Sequence, residues 1–209
     1  MLRHARVLRA PRQGTDIMAM PSTPATRRYT VEEVYRLPAD GNRYEVVDGE
    51  LLVTPSPRTR HQAVVMRLAA ALHAYLEPLG LADTLFMGPA DYFHGTDVYV
   101  QPDLLVCLPE EISADWRTMR HLRLVAEVIS PASARGDRLV KRPAYQRAGV
   151  ETYWVADADR LAIEVWHPGD ELPEIATRQL TWRVTHEAPE LRLDLSRLLS
   201  RLPGDAKPQ

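Results

Sequence analysis

The sequence predicts one α/β domain in which a mixed β-sheet is flanked by helices and preceded by a β-hairpin. The hairpin is indicated by two short alternating segments that flank Asp48-Gly49, a dipeptide that readily adopts the positive φ angles of a type I′ turn. A helix is indicated from about His61 to Leu79, where apolar residues recur at spacings of three and four. Strand-like apolar runs then surround a second helical segment, at residues 103–108, 122–129 and 150–155.

Chain length and composition fit a single core. A chain of 209 residues with 45% hydrophobic residues is long enough for one ordinary domain. We expect that domain at residues 29–200, with a disordered basic tail at 1–28 and a short C-terminal tail at 201–209. Met18 or Met20 could instead be the true start of the chain. The formal charge of −2 excludes bulk basicity, so contact with nucleic acid would require a local basic patch.

The sequence also bounds the compartment and excludes several site types. Cys107 is the only cysteine, which excludes an internal disulfide and fits the reducing cytoplasm. No apolar run is long enough to span a membrane, so we expect a soluble protein. The sequence has no glycine-rich phosphate loop, no CxxC pair and no HExxH motif. These absences argue against nucleotide-binding folds, zinc ribbons and zincins.

Two acidic residues lie in apolar strand-like runs. Glu127 shares a strand face with Val125 and Ile129, and Asp103 follows Pro102 at the start of another apolar run. An unpaired buried carboxylate costs several kcal/mol, so the site should supply a cation, a proton or a basic partner. Two strand-borne acids followed by a basic segment therefore predict a divalent-metal site.

Two further residues admit two interpretations each. Glu45 shares its strand face with Arg43, so it either lies half-buried beside the metal site or pairs with the arginine, and the sequence favours the pairing. His61 lies in the first turn of the long helix. It either hydrogen-bonds a substrate or the central acids, or is a surface or capping residue, which is the commoner outcome.

The second helix carries a proline that restricts where it can begin. Pro143 removes a hydrogen bond from a helix interior but is harmless in the first turn. We therefore expect a turn over residues 131–136 and a regular helix from about Val140 to Ala148.

An ordered set of motifs resembles the Uma2 family, within the PD-(D/E)XK nuclease-like superfamily. The set comprises Tyr44-Glu45-Val46-Val47-Asp48-Gly49-Glu50, His61, Gln101-Pro102-Asp103, Glu127-Val128-Ile129-Ser130-Pro131, Lys141 with Tyr145, and Gly149-Val150-Glu151-Thr152-Tyr153-Trp154-Val155. The resemblance covers roughly residues 29–199. It implies a restriction-endonuclease-like core in which Asp103 and Glu127 bind a divalent ion.

The resemblance also implies roles for neighbouring residues. The ion would be Mg²⁺, with Mn²⁺ as a possible substitute, and the backbone carbonyl of Val128 would complete part of its shell. The family pattern places a lysine two residues after the glutamate, where this chain has Ile129. Lys141 resembles a migrated lysine that reaches the same place from the following helix. Glu45 would hold a water molecule or assist the base.

Basic residues around the second helix are candidates for phosphate contacts. They concentrate positive charge locally, although they could equally neutralise nearby acids and solvate a helix face. The candidates are Arg135, Arg138, Arg142 and Arg147, with His61 as a further nucleic-acid contact.

Three functions compete at this stage. The first is a metal-dependent endonuclease that hydrolyses phosphodiester bonds in DNA, as a homodimer by analogy with nucleases of this fold. The second is a non-cleaving module that binds nucleic acid or protein, favoured by Ile129 and Pro143. The third is a structural domain whose two acids are paired with Arg123 and Arg138.

Overall fold

The computed structural model describes residues 27–113 and 115–205. Most of the predicted N-terminal tail, including Met18 and Met20, and residues 206–209 of the predicted C-terminal tail lie outside this range. Within the described residues, no helix is long and apolar enough to cross a membrane.

The described chain forms four α-helices and twelve strands. The helices are α1 (Val31–Tyr35), α2 (Thr59–Leu76), α3 (Arg142–Arg147) and α4 (Leu195–Leu198). The strands are β1 (Arg43–Val47), β2 (Glu50–Thr54), β3 (Leu85–Met87), β4 (Tyr92–His94), β5 (Val98–Val100), β6 (Leu104–Cys107), β7 (Leu122–Val128), β8 (Tyr153–Asp157), β9 (Ala162–Trp166), β10 (Glu174–Ala176), β11 (Gln179–Trp182) and β12 (Leu191–Asp194).

Six strands form the central mixed sheet, in the order β10-β9-β8-β7-β6-β3. Its middle strands β7 and β8 are parallel, and the crossover between them contains α3 because parallel neighbours need a long connection. A second sheet has the order β2-β1-β5-β4 and contains the hairpin, and β11 pairs with β12. The fold is thus a mixed sheet with helices on its faces and a hairpin sheet beside it.

The central sheet separates two cores because its side chains alternate between faces. Leu104 and Val106 point to the face covered by α2, where Leu68 and Leu72 are fully buried. Leu105 points to the opposite face, which is covered by α3 and by the hairpin sheet. The site acids lie on this second face.

The predicted local signals are present in the structure. Asp48 and Gly49 have φ angles of 50° and 79°, as a type I′ hairpin turn requires. The Thr30 hydroxyl accepts from the Glu33 backbone N–H at 3.2 Å and caps α1. The predicted helix over 61–79 is α2, which begins at Thr59 and passes after Leu76 into a 3₁₀ turn.

The segment before α3 differs from the prediction. A π-helical turn, Gly136–Lys141, precedes an α-helix that begins at Arg142, so a regular helix from Val140 is wrong. Pro143 has no N–H to donate to the carbonyl of Arg138, five residues earlier. The Nε of Arg142 donates to that carbonyl instead, at 3.1 Å. The wider turn therefore accommodates the proline and places it at the start of α3.

The C-terminal region was predicted less completely. The strand expected over residues 177–185 is limited to β11, and the closing helix expected over 195–202 is limited to α4. The short strands β10 and β12 were not predicted, because three or four residues give too weak a periodic signal.

We predict that Leu72→Ala lowers the free energy of unfolding by about 2–5 kcal/mol, because it opens a cavity between α2 and the sheet. The exposed Met66→Ala on the same helix should change it by less than about 0.5 kcal/mol. Urea denaturation of both variants measures the difference. Similar losses for the two variants would contradict this packing of α2.

Candidate active site

Asp103 and Glu127 lie side by side on one face of the central sheet. In the antiparallel pair β6 and β7, Leu104 is opposite Ala126, so the next position places Asp103 opposite Glu127. The backbone N–H of Val128 donates to Asp103 Oδ2 at 2.8 Å and fixes the side chain there. Two acids that are 24 residues apart in sequence are therefore neighbours.

Lys141 reaches these acids from the π-helical turn. Its Nζ lies 2.8 Å from Glu45 Oε1, 3.1 Å from Glu127 Oε1 and 3.2 Å from Asp137 Oδ1. The contact with Glu127 is a hydrogen bond, and those with Glu45 and Asp137 are ion pairs. All four side chains are at most 4% exposed. We call these four residues the lysine cluster.

Glu45 enters the cluster from the hairpin sheet. Its Oε1 also accepts from the backbone N–H of Gln101 at 2.7 Å, whereas its buried Oε2 has no hydrogen-bond partner. The expected pairing with Arg43 is wrong, because the arginine is directed to Asp103 and the Gln101 carbonyl. Glu45 is also fully buried rather than half-buried.

Four donors surround the carboxylate of Asp103. Both terminal nitrogens of Arg43 lie 3.1 Å from Oδ1, and His61 Nε2 lies 3.0 Å from Oδ2, which also accepts from Val128. Burial opposes ionisation, but the His61 hydrogen bond and the charge of Arg43 outweigh it and lower the pKa of Asp103. His61 is therefore not the surface or capping residue that its position favoured, and its buried Nδ1 has no partner.

Burial and neighbouring charges have opposing effects on the pKa values of Glu127 and Lys141. Burial raises the pKa of Glu127 well above its usual value, and the Lys141 charge only partly opposes this. For Lys141, burial works against the charge, but Glu127, Glu45 and Asp137 outweigh it and raise the pKa. Three carboxyl groups around one ammonium thus favour retention of a proton on Glu127. The Tyr145 hydroxyl donates to Glu127 Oε1 at 3.2 Å and further fixes that carboxyl group.

A cavity of about 400 Å³ leads to this site. Asp103, Asp137, Arg43 and His61 are among its lining residues, whereas Glu45, Glu127 and Lys141 lie behind them. The rest of its wall includes the segment after the hairpin, with Pro55 and Pro57, and the turn after β7, with Ser130 and Ser133. A ligand in the cavity would therefore meet Asp103 and Asp137 first, and the other three residues of the lysine cluster lie behind them.

The predicted phosphate-binding arginines make internal contacts. Arg138 lies 2.9 Å from Asp157 and 2.6 Å from Glu164, and the Arg142 guanidinium stacks 4.5 Å from the centre of the Trp166 ring. Arg135 pairs with Glu50 and Arg147 with Asp48, both at exposed positions. The structural-domain hypothesis predicted that Asp103 and Glu127 pair with Arg123 and Arg138. That pairing is wrong, because Arg123 contacts Glu151 and Arg138 contacts the two acids named above.

Sequence reasoning missed two residues of the site. Asp137 precedes Lys141 by four residues, a spacing that places two helical side chains on one face and was available as a signal. Arg43 was considered only as a partner for Glu45. Its true partner is 60 residues away, and no local pattern indicates such a pair.

The donor types suit a hard divalent cation. Mg²⁺ prefers oxygen ligands and is commonly held by one or two carboxylates while it keeps several waters. Asp103 and Glu127 supply two adjacent carboxylates. Among the residues that the structure describes, no group of three or more His, Cys, Asp or Glu is placed to hold a metal.

Comparisons with known proteins identify relatives of this fold. A family model described as "Uma2: Putative restriction endonuclease" matches residues 31–196, which include every predicted site position. A solved structure from Anabaena variabilis, described as a "putative nuclease belonging to DUF820", is similar with a TM-score of 0.67 and 18% sequence identity. That similarity covers 82% of this chain and 98% of the other. The predicted fold class is confirmed, and no curated protein matches the sequence.

The raised pKa of Glu127 predicts a pH-dependent stability difference between the wild type and Glu127→Gln. Above the unfolded pKa of about 4.3, the unfolded chain releases a proton that folded Glu127 retains, so wild-type stability falls as the pH rises toward the folded pKa. The Glu127→Gln variant does not lose stability in this way, because glutamine does not titrate. Its free energy of unfolding relative to wild type should therefore increase over the pH range above about 5. Urea titrations across this range measure the trend, and a constant difference would contradict it.

Proposed function

The chain belongs to the Uma2 family, and from this membership we propose that it is a divalent-metal-dependent endonuclease that hydrolyses phosphodiester bonds in DNA. The observation that carries the proposal is the position of Lys141, whose ammonium lies 3.1 Å from Glu127 while Asp103 occupies the adjacent strand. The lysine expected two residues after the glutamate is replaced here by Ile129. Lys141 supplies the same charge from the following helix.

Asp103 and Glu127 would hold the metal ion, with the backbone carbonyl of Val128. When bound, a divalent ion such as Mg²⁺, or Mn²⁺ in its place, supplies positive charge that acidifies water and offsets the charge of a phosphate. Asp103 and Val128 line the cavity and Glu127 lies beside Asp103 behind that lining, so an ion there would be within reach of a phosphate that enters the cavity.

The protein's own side chains would handle the remaining charge and the proton. Water attacks phosphorus, and the bond from phosphorus to the leaving sugar oxygen breaks. Lys141 is held in one position by three carboxylates, so it is prepared to stabilise the negative charge that develops on the phosphate. Solvent in the cavity would take up the proton that the attacking water loses and would protonate the leaving oxygen, and Glu45, whose unpartnered Oε2 lies behind the cavity lining, would assist the base.

Arginines at the cavity and at the surface would contact the DNA backbone. Arg58 and Arg60 line the cavity, and Arg135 is 68% exposed beside its partner Glu50. Arg138 and Arg142 would instead support α3 through their internal contacts. We further propose a homodimer, since two copies of one site are needed to cut both strands in a single encounter, and a cytoplasmic location in keeping with the free, buried Cys107.

A non-cleaving binding module is the second candidate, and one observation favours it. Both cations of the site are already engaged, because Arg43 contacts Asp103 and Lys141 contacts three acids. A protein that kept these pairs permanently could bind nucleic acid or another protein but would have no free group for hydrolysis.

Plasmid nicking separates the two candidates. With Mg²⁺ or Mn²⁺, we expect the wild type to convert supercoiled plasmid into nicked circles. Glu127→Ala and Lys141→Ala should each reduce the rate by about 10²-fold or more, because each removes a charge that acts in the transition state. Agarose gels over time give the rates.

Glu111→Gln is the matched control for these variants. Glu111 is a partly buried acid that contacts Arg120 and His121 away from the cavity, so its variant should nick at the wild-type rate. Retained DNA binding without nicking by the wild type would support the binding module instead. Equal rates for the wild type and Lys141→Ala would remove the lysine from the mechanism.

A further inference from the structure

Arg43 is the accessible cation that faces Asp103 in the cavity. It lines the cavity, its side chain is 21% exposed, and both terminal nitrogens lie 3.1 Å from Asp103 Oδ1. One of them also donates to the Gln101 carbonyl at 2.8 Å. The Lys141 side chain, by comparison, is only 4% exposed and lies outside the cavity lining.

The acceptor capacity of Asp103 is already filled. An ionised carboxylate offers about four lone-pair sites, and four hydrogen bonds reach this one. Two come from Arg43, one from His61 and one from the Val128 backbone. A divalent ion can therefore reach Asp103 only if a donor leaves.

The two oxygens of Asp103 differ in how easily they can be released. Oδ2 accepts from the Val128 N–H, a backbone donor at the end of β7 that cannot withdraw without disturbing the strand. Oδ1 is held by the Arg43 side chain alone. Since that side chain is partly exposed and no backbone group contacts Oδ1, Oδ1 is the oxygen that can be exchanged.

We propose that Arg43 is a further catalytic residue, which neutralises Asp103 until a divalent ion displaces it and then binds an oxygen of the scissile phosphate. The proposal rests on the proposed function. The planar guanidinium matches the geometry of phosphate oxygens, and its place in the cavity wall leaves it beside the displaced position. In this exchange, the positive charge of Arg43 moves from Asp103 to the phosphate of the substrate.

This proposal predicts opposite effects on metal binding and on catalysis. Arg43→Gln should bind Mn²⁺ at least about tenfold more tightly, because the ion no longer competes with a charge-assisted hydrogen bond. The same variant should nick plasmid about 10²-fold more slowly, because the phosphate contact is lost. Arg43→Lys keeps the charge but lacks the planar guanidinium. It should therefore bind Mn²⁺ at least as tightly as wild type and also nick plasmid more slowly than wild type.

Isothermal titration calorimetry with Mn²⁺ measures the first effect without any turnover. Arg123→Gln is the control, since Arg123 is partly exposed, pairs with Glu151 and does not line the cavity. Its Mn²⁺ affinity and its rate of plasmid nicking should both match wild type. A variant that merely disturbed the site would lose affinity and activity together, which would overturn the proposal. Equal Mn²⁺ affinity in wild type and Arg43→Gln would also overturn it and leave metal-dependent hydrolysis intact. Lack of Mn²⁺ binding by either protein would instead overturn the metal dependence.

Discussion

The buried ammonium of Lys141 is the interaction on which the rest of the site depends. It brings together three parts of the fold, because Glu45 comes from the hairpin sheet, Glu127 from the central sheet and Asp137 from the π-helical turn. A charge that is almost fully buried is costly unless it is paired, so these elements must meet at one point. The placement of the hairpin sheet against the central sheet therefore follows partly from electrostatics rather than from apolar packing alone.

The turn before α3 shows how local chemistry serves this arrangement. Pro143 cannot donate a backbone hydrogen bond, and the chain forms a wider π-helical turn directly before it. Asp137 and Lys141 both lie in that turn, and the Tyr153 hydroxyl donates to the Asp137 carbonyl at 3.1 Å. Pro143, which favoured the non-cleaving module at the level of sequence, is thus part of the structure that positions Lys141.

Local sequence signals predicted the elements that local physics determines. Asp48-Gly49 indicated the hairpin, and alternation around Glu127 indicated a strand-borne acid, as found. Side-chain pairing was harder to predict, because the partner of Arg43 is 60 residues away and depends on how β1 lies beside the end of β6. The short strands β10 and β12 were not predicted for a different reason. They form because they pair with neighbouring strands, and their own sequences show little periodicity.

The two cations of the site differ in access, and the proposed hydrolysis depends on this difference. Lys141 is buried among three acids, so its position is set by the fold. Arg43 is partly exposed in the cavity wall and holds an oxygen that no backbone group contacts. A site in which both cations were enclosed would keep its carboxylates neutralised permanently. A site with one enclosed and one accessible cation can keep its folded form stable without metal and still release a carboxylate when a stronger cation arrives.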